Sequence, residues 1–424
     1  MIGAKIWRAT LSLSLLVAAA PLTFADPVSK DAKERVLDRM NKIITNFAYV
    51  PGVDFAKWPQ MLAAVQPDVD KAQTDADFQE AVNKALSGFG LTHISLQTPQ
   101  QSRTRLDGET VGLGVSVHVQ PDGILIIRVV PKSAAETAKL QPGDLIVAAD
   151  GKQVRNPAEL AGKEGQPVLL TVKAADGKSR QVKVVRKKFS TIRPEELTWV
   201  DKDTALLKVY TFDLSYRPTR VEGLMREASK AKNLVIDLRD NGGGVVLNVQ
   251  HFLGLLLPDS TPIGTFINKR LVERYVKEAS GNPDDLKSIA AWSDSKVRST
   301  RDDDEPKPFS GNVAVLVNGG TGSGAEIAAA ALRERLGATV VGTKSAGAVL
   351  VALMVPLPEG YTLLYPITDY VTTRGIRLEG NGVQPDLTAE DPKVPLPGTP
   401  DDVISKAVAA LQHPDASKKA IGVN

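Results

Sequence analysis

Apolar residues in "ERVLDRMNKIITNFAYV" and "DADFQEAVNKALSGF" recur at three- and four-residue spacing, which predicts amphipathic helices from about Lys30 to Gly88. The period then changes. In "GLTHISLQT", Thr92, Ile94 and Leu96 alternate with Leu91, His93 and Ser95, as side chains do on the two faces of a short strand. From Val111 to about Lys188 come short β-rich segments, "GLGVSVHV", "GILIIRVV", "DLIVAAD", "PVLLTVKA" and "SRQVKVVRK", separated by Gly and Asp turns. A short helix in "PKSAAETAKLQPGD" is inserted between the second and third. After "RPEELTWVDKDT", apolar strands ("ALLKVYTF", "NLVIDLRD", "NVAVLVNG", "ATVVGT") alternate with helical stretches, the pattern of a largely parallel sheet buried on both faces. The polar stretch from Lys269 to Pro308, ending in "RDDDEPKP", reads as a surface excursion or mobile loop, with no chemistry attached to its acidic run.

The 424 residues, 42% hydrophobic and 24% charged, suit two or three soluble domains with real cores. The 52 basic and 49 acidic residues are mixed along the chain, and a net charge of +3 argues against a nucleic-acid partner. Lys5 and Arg8 precede "ATLSLSLLVAAAPLTFA", an apolar run too short to span a bilayer that ends in small residues. Residues 1–25 therefore read as a secretory signal, cleaved after Ala25, with a retained amphipathic anchor as the alternative. No other segment reaches membrane-spanning length. The mature chain is expected outside the cytoplasm, in a periplasm or equivalent space. Without cysteine there is no disulfide, thiol nucleophile or thiolate-bound zinc. His93, His118, His251 and His413 lie far apart with no HExxH-type spacing, so no metal site is expected.

The candidate chemistry centres on "NGGTGSGAEIAAAALRERLG", from Asn318 to Gly337, a glycine-rich turn entering an alanine-rich helix. Gly320, Gly322 and Ala325 fit a dinucleotide fingerprint, but "VVGTKSAG" lacks the acid that would hold the ribose. A phosphate-binding P-loop also fails, because Gly324 is followed by Ala325 rather than by Lys-Ser or Lys-Thr. The remaining reading makes Ser323 a nucleophile at a strand-to-helix turn. Gly322 and Gly324 leave room for a carbonyl, and the Gly324 N–H is an orphan donor at a helix N-terminus. A second cluster, "VIDLRDNGGG" from Val235 to Gly244, ends another buried strand, and a parallel sheet would bring both to its carboxyl edge. Asp237 and Arg239 are expected to fix that strand end by a local ion pair.

Two resemblances follow from these motifs. "VGLGV" and "LQPGDLIVAADGKQV" resemble a PDZ domain, a fold that holds a peptide's terminal carboxylate in a nest of backbone N–H groups and adds the peptide to its sheet edge. The resemblance makes Leu113, Gly114 and Val115 the peptide-binding loop, with a β spacer that binds nothing as the alternative. "NLVIDLRDNGGG", "VAVLVNGGTGSGAEIAAAAL", "VVGTKSAGA", "VPLPEGYTL" and "LEGNGVQPDL" occur in the order seen in the S41 serine peptidases, the C-terminal processing and tricorn-core group. The implied architecture is α/β. A signal peptide (1–25) precedes an N-terminal helical cap (26–108), a PDZ domain (109–188) and a peptidase core of the S41, ClpP/crotonase-like type with a C-terminal helix (189–424). The resemblance also implies Ser323 as nucleophile and the N–H groups of Gly243 and Gly324 as the oxyanion hole.

The pattern breaks at the base. The Ser-Lys branch of that family has a lysine 25 residues after the serine and a glutamine four further on, where this chain has Ala348 and Ala352. Lys344 is nearby but matches a strand-end position that is not catalytic in the family. In the tricorn-like branch the base is a histidine at the end of the cap, the place of His93 in "GLTHISL", and a glutamate assists from the place of Glu379 in "LEGNGVQPD". The expected activity is secreted endoproteolysis of polypeptide tails with free C-termini, without metal or cofactor and with a regulatory or adaptor protein as a further possible partner. The competing expectation is a PDZ-bearing scaffold that holds tails or another enzyme without cutting.

Overall fold

The computed structural model describes residues 28–412, so the signal segment and His413 lie outside the described residues. The amphipathic pattern at the N-terminus folds as the helices Lys30–Phe47, Trp58–Ala64, Gln66–Lys71 and Asp75–Leu86. Ser29 caps the first, and Thr74 with Asp77 closes a capping box on the last. Their apolar faces enclose Val36, Met40, Ile44, Trp58, Phe78 and Leu86 and pack on Leu350, Leu357, Tyr361, Leu363 and Tyr365 of the core. Phe78 meets Tyr361 edge-on at 5.5 Å, and each such buried ring contributes about 2–3 kcal/mol through the area removed from water.

The main sheet of the C-terminal region runs in the order Glu196–Trp199, Thr204–Lys208, Asn233–Asp237, Asn312–Val317, Thr339–Gly342, Leu387–Thr388. All neighbours after the first pair are parallel. Asn233–Asp237 is buried at every position, the mark of a strand covered on both faces. A second, antiparallel sheet is built on the ten-residue strand Thr362–Val371, which pairs with Ser95–Gln97, Val351–Pro356 and Pro262–Asn268. Between cap and core, an antiparallel sheet is ordered Val115–Gln120, Gly123–Val129, Leu145–Ala149, Pro167–Lys173, Ser179–Val185, with the short helix Ala134–Thr137. Glu109–Gly112 pairs with Lys187–Ser190 where the chain enters and leaves it. Among the described residues no helix is long and apolar enough to cross a membrane.

Two expectations need correction. The strand around His93 is shorter than its alternation predicts: only Ser95–Gln97 is strand, and residues 91–94 form a bend. Ladder partners exist only from Ser95 onward, where it meets Leu364, so alternation upstream has no strand to pair with. The stretch from Lys269 to Pro308 is not a structureless excursion. It contains the helices Lys269–Ala279 and Leu286–Trp292, whose Leu271, Val272, Ile289 and Ala290 bury against Ile267 and Val371. The many charges of this stretch occupy the outer faces and mask that three- and four-residue apolar spacing.

Candidate active site

Asn233–Asp237 and Asn312–Val317 are paired neighbours, with Asp237 opposite Leu316, so both glycine clusters leave the sheet side by side at its carboxyl edge. Side chains weld the two turns together. Asn318 Oδ1 accepts from the N–H groups of Asp240 and Gly320, Thr321 Oγ1 donates to the Leu238 carbonyl, and Gly322 N–H donates to the Asn241 carbonyl. Beneath them, the buried Arg239 guanidinium pairs with Asp237 at 2.7 Å and with Asp391 and Asp401 at 2.9 Å. The expected local ion pair is thus part of a larger network that ties the strand end to the C-terminal segment.

Ser323 begins the helix Gly324–Leu336 with φ 51° and ψ −122°, a backbone conformation that costs on the order of 1–3 kcal/mol for a residue with a Cβ. The surroundings enforce it. Ser323 N–H is held by the Ala348 carbonyl at 2.7 Å and by Glu326 Oε2 at 3.1 Å. The fully buried Glu326 also accepts from Ser345 Oγ, Gly347 N–H at 2.8 Å and Ala348 N–H at 2.9 Å. Burial pushes its carboxyl up, and these donors pull it back. The helix is buried on all sides from Gly324 to Leu332, which explains its run of alanines.

His93 reaches this serine from the cap. Its Nε2 is 3.2 Å from Ser323 Oγ. The adjoining Ser95–Gln97 strand is pinned to Thr362–Val371, and Asn83 of the cap clamps both the N–H and the carbonyl of Leu96. On the far side of the ring, Nδ1 lies 2.8 Å from Thr92 Oγ1, which is 3.0 Å from each carboxylate oxygen of Glu379. Glu379, only 5% exposed, also accepts from Thr92 N–H and Val349 N–H. This chain assigns the tautomer. A carboxylate only accepts, so the single threonine proton goes to Glu379, the threonine oxygen accepts from Nδ1–H, and Nε2 keeps its lone pair toward Ser323. Burial lowers the His93 pKa to about 4, leaving the ring neutral at ordinary pH. Thr92 was not singled out from sequence. Its only signal was adjacency to His93 in "GLTHISL".

The Gly324 N–H has no hydrogen-bond partner among the described residues, whereas that of Gly243 donates to Asn241 Oδ1 at 2.9 Å. The next amide, Gly244 N–H, is free among the described residues and lies beside Gly324. Gly243 has φ +91°, and a Cβ on it would lie 2.5 Å from the Gly324 nitrogen and 2.6 Å from Ser323 Cβ. Gly243→Ala is therefore expected to lose about 2–4 kcal/mol of stability and to displace the serine turn, as a denaturant titration would report.

A cavity of about 590 Å³ opens beside the serine, lined by His93, the Gly242–Gly244 turn and the apolar Val249, Phe266, Ile327 and Leu364. Residues 351–354, on a strand whose ladder partner lies only on one side, form another wall. Ala348 flanks Ser323 through its carbonyl, Ala352 lines the cavity, and Lys344 is exposed beyond the strand end. A larger cavity of about 1100 Å³ separates the core from the smaller β domain. The two share Arg105, Thr211 and Asp213, and Arg105 and Asp213 form a two-pronged ion pair at 2.7–2.8 Å. Ser116, Val117 and His118 of the edge strand face the larger cavity, together with Arg128 and Arg193. Leu113 and Val115 bury their side chains in the small domain's core, and Gly114 packs on Ser133, so this loop does not line that cavity. His251 does not line the cavity beside Ser323, and its Nδ1 shares a hydrogen bond with Tyr216 Oη.

Residues 203–389 match the family described as Peptidase family S41, and residues 125–173 match PDZ domain. A carboxy-terminal-processing protease of Bartonella bacilliformis is 27% identical over 339 residues, 75% of this chain and 72% of that one. A probable CtpA-like serine protease of Staphylococcus haemolyticus is 28% identical over 299 residues, covering 68% of this chain and only 54% of that longer protein. Among solved structures, mature CPAF shares the fold with a TM-score of 0.56 at 15% identity, covering 91% of this chain and 98% of that one. A putative S41 protease from Bacteroides fragilis does so with a TM-score of 0.53 at 16% identity, covering 81% and 88%. With a serine-bearing turn at its carboxyl edge and a PDZ domain before it, the region 203–389 of this chain is a serine-peptidase core of the S41 type.

Proposed function

We propose that the protein is an exported endopeptidase that cuts polypeptide tails with Ser323 as nucleophile and His93 as base. The observation that carries this reading is the Nε2 to Oγ distance of 3.2 Å, with Nδ1 engaged by Thr92 and, through it, Glu379. Nε2 takes the serine proton as Oγ attacks the scissile carbonyl, and the imidazolium returns it to the leaving amine. Water, deprotonated by the same nitrogen, then resolves the acyl-enzyme. Gly324 N–H is one donor to the developing oxyanion. The second comes from the Gly243–Gly244 turn, where Gly243 N–H must leave Asn241 Oδ1 to serve. Apolar walls of the smaller cavity favour an aliphatic or aromatic side chain next to the cut.

Ala348 in the place of the lysine would favour a tail-binding scaffold. A base delivered from the cap removes the need for that lysine and supports cleavage instead. The tail is proposed to lie along the edge strand at Ser116–His118 in the larger cavity and to pass Arg105 and Asp213 into the smaller one. The test compares an unstructured polypeptide bearing a free α-carboxylate with the same chain amidated at its end, fragments being identified by mass spectrometry. Faster cleavage of the free-carboxylate chain is expected. Equal rates would remove tail selection, and binding with no cleavage of either would favour the scaffold.

A further inference from the structure

Away from the serine, three side chains converge from three separate parts of the fold. Glu222 lies on the helix Pro218–Ala228, His251 on the helix Val246–Gly254, and Glu305 in the acidic run that precedes Asn312–Val317. One ligand atom from each lies within 4.8 Å of the other two. His251 Nε2 is 3.6 Å from Glu222 Oε1 and 3.6 Å from Glu305 Oε1. Around a tetrahedral zinc with bonds of roughly 2.0–2.1 Å, ligand atoms stand roughly 3.3 Å apart, so the three need only small shifts to share one ion.

The polar groups here are not satisfied by the protein alone. Glu305 has a side chain only 8% exposed, and its Oε2 has no hydrogen-bond partner among the described residues, nor has His251 Nε2. Tyr216 Oη, 2.8 Å from Nδ1, fixes the ring so that Nε2 faces the two carboxylates. Either neutral tautomer is mismatched there. A proton on Nε2 finds no acceptor within hydrogen-bond range, and a lone pair faces two anions. A divalent cation bound by Nε2 and two carboxylate oxygens resolves both faults, and an outer hydrogen bond to the other ring nitrogen is the usual companion of a metal-bound imidazole.

We propose that Glu222, His251 and Glu305 form a divalent-cation site of zinc-binding chemistry, separate from the peptidase centre. Such an ion would clamp the acidic run and two helices together. One of those helices follows directly on the Gly242–Gly244 turn and carries Val249, which packs on Gly324. The acidic run thereby acquires a role that its sequence did not suggest.

The test uses the mature chain without a histidine tag, stripped with a chelator, dialysed, and titrated calorimetrically with Zn²⁺. One ion per chain is expected, with a rise in melting temperature and an X-ray absorption spectrum showing a single imidazole among oxygen ligands. Glu305→Gln and Glu222→Gln, each checked for folding by circular dichroism, should weaken binding at least about a hundredfold, and Tyr216→Phe about tenfold. His93→Ala, which removes the imidazole of the peptidase centre, should leave the stoichiometry unchanged. The proposal is overturned if no ion binds, as for an imidazolium merely paired with two carboxylates. It is equally overturned if both folded glutamine variants bind like the parent, or if binding disappears with His93.

Discussion

His93→Ala is expected to lower kcat/KM on an unfolded polypeptide by about 10⁴- to 10⁶-fold, to the same residual rate as Ser323→Ala, because base and nucleophile act as one unit. The double variant should be no slower than either single one. Stopped assays with quantified fragments resolve this range. A His93→Ala enzyme within tenfold of the parent would show that another group takes the proton. The pH profile checks the same assignment independently. Only the neutral imidazole is a base, so activity falls as pH drops through the pKa of the folded state. Burial brings that value to about 4, so the acid limb of kcat/KM should lie far below the 6.5 of an ordinary histidine. Stability carries the same sign: the unfolded chain binds the proton near 6.5 and the folded chain does not, so this group's contribution is present above 6.5 and is lost as pH falls toward 4. An acid limb at 6.5 or above would mean that the ring is solvated and does not reside against Ser323.

The parallel sheet, the glycine turns at its carboxyl edge and the alanine helix were legible because they rest on local signals: buried apolar runs, glycine spacing and a small-residue helix. His93, Ser323 and Glu379 could be named singly, but their proximity depends on the pairing of Ser95–Gln97 with Thr362–Val371, a contact across more than half of the chain that no local pattern encodes. Thr92 escaped because threonine beside a strand is ordinary, and its role exists only through Glu379. The helices within Lys269–Pro308 were hidden because charge density outweighed their apolar stripes. Glu222, His251 and Glu305 have no short-range spacing at all and converge only through tertiary folding. The occupied Gly243 N–H is a different kind of miss, since its acceptor, Asn241 Oδ1, is two residues away in plain view, yet its orientation is set by the bond from Asn241 Nδ2 to the Val209 carbonyl.

Thr92→Val is expected to reduce kcat by about 10²- to 10⁴-fold with little change in KM, the range spanned by losing general-base assistance and by holding a catalytic imidazole in the wrong tautomer. Valine matches threonine in shape but gives Nδ1–H no acceptor. The proton is then free to move to Nε2, where it faces Ser323 and removes the lone pair needed for attack. Folding should change by only about 1 kcal/mol, because Glu379 keeps its bonds from Thr92 N–H and Val349 N–H. A residue that merely supported the loop would shift melting temperature and KM, and Thr92→Ser would not restore a structural methyl contact. Here Thr92→Ser should recover most of kcat, since only the hydroxyl matters. Glu379→Gln should lose activity to a similar degree, because its amide can donate to the threonine oxygen and reverse the direction of the chain. The two losses should fail to add in the double variant, as they interrupt one relay. A Thr92→Val enzyme with kcat within a few-fold of the parent would separate Glu379 from the chemistry and leave His93 oriented by packing alone.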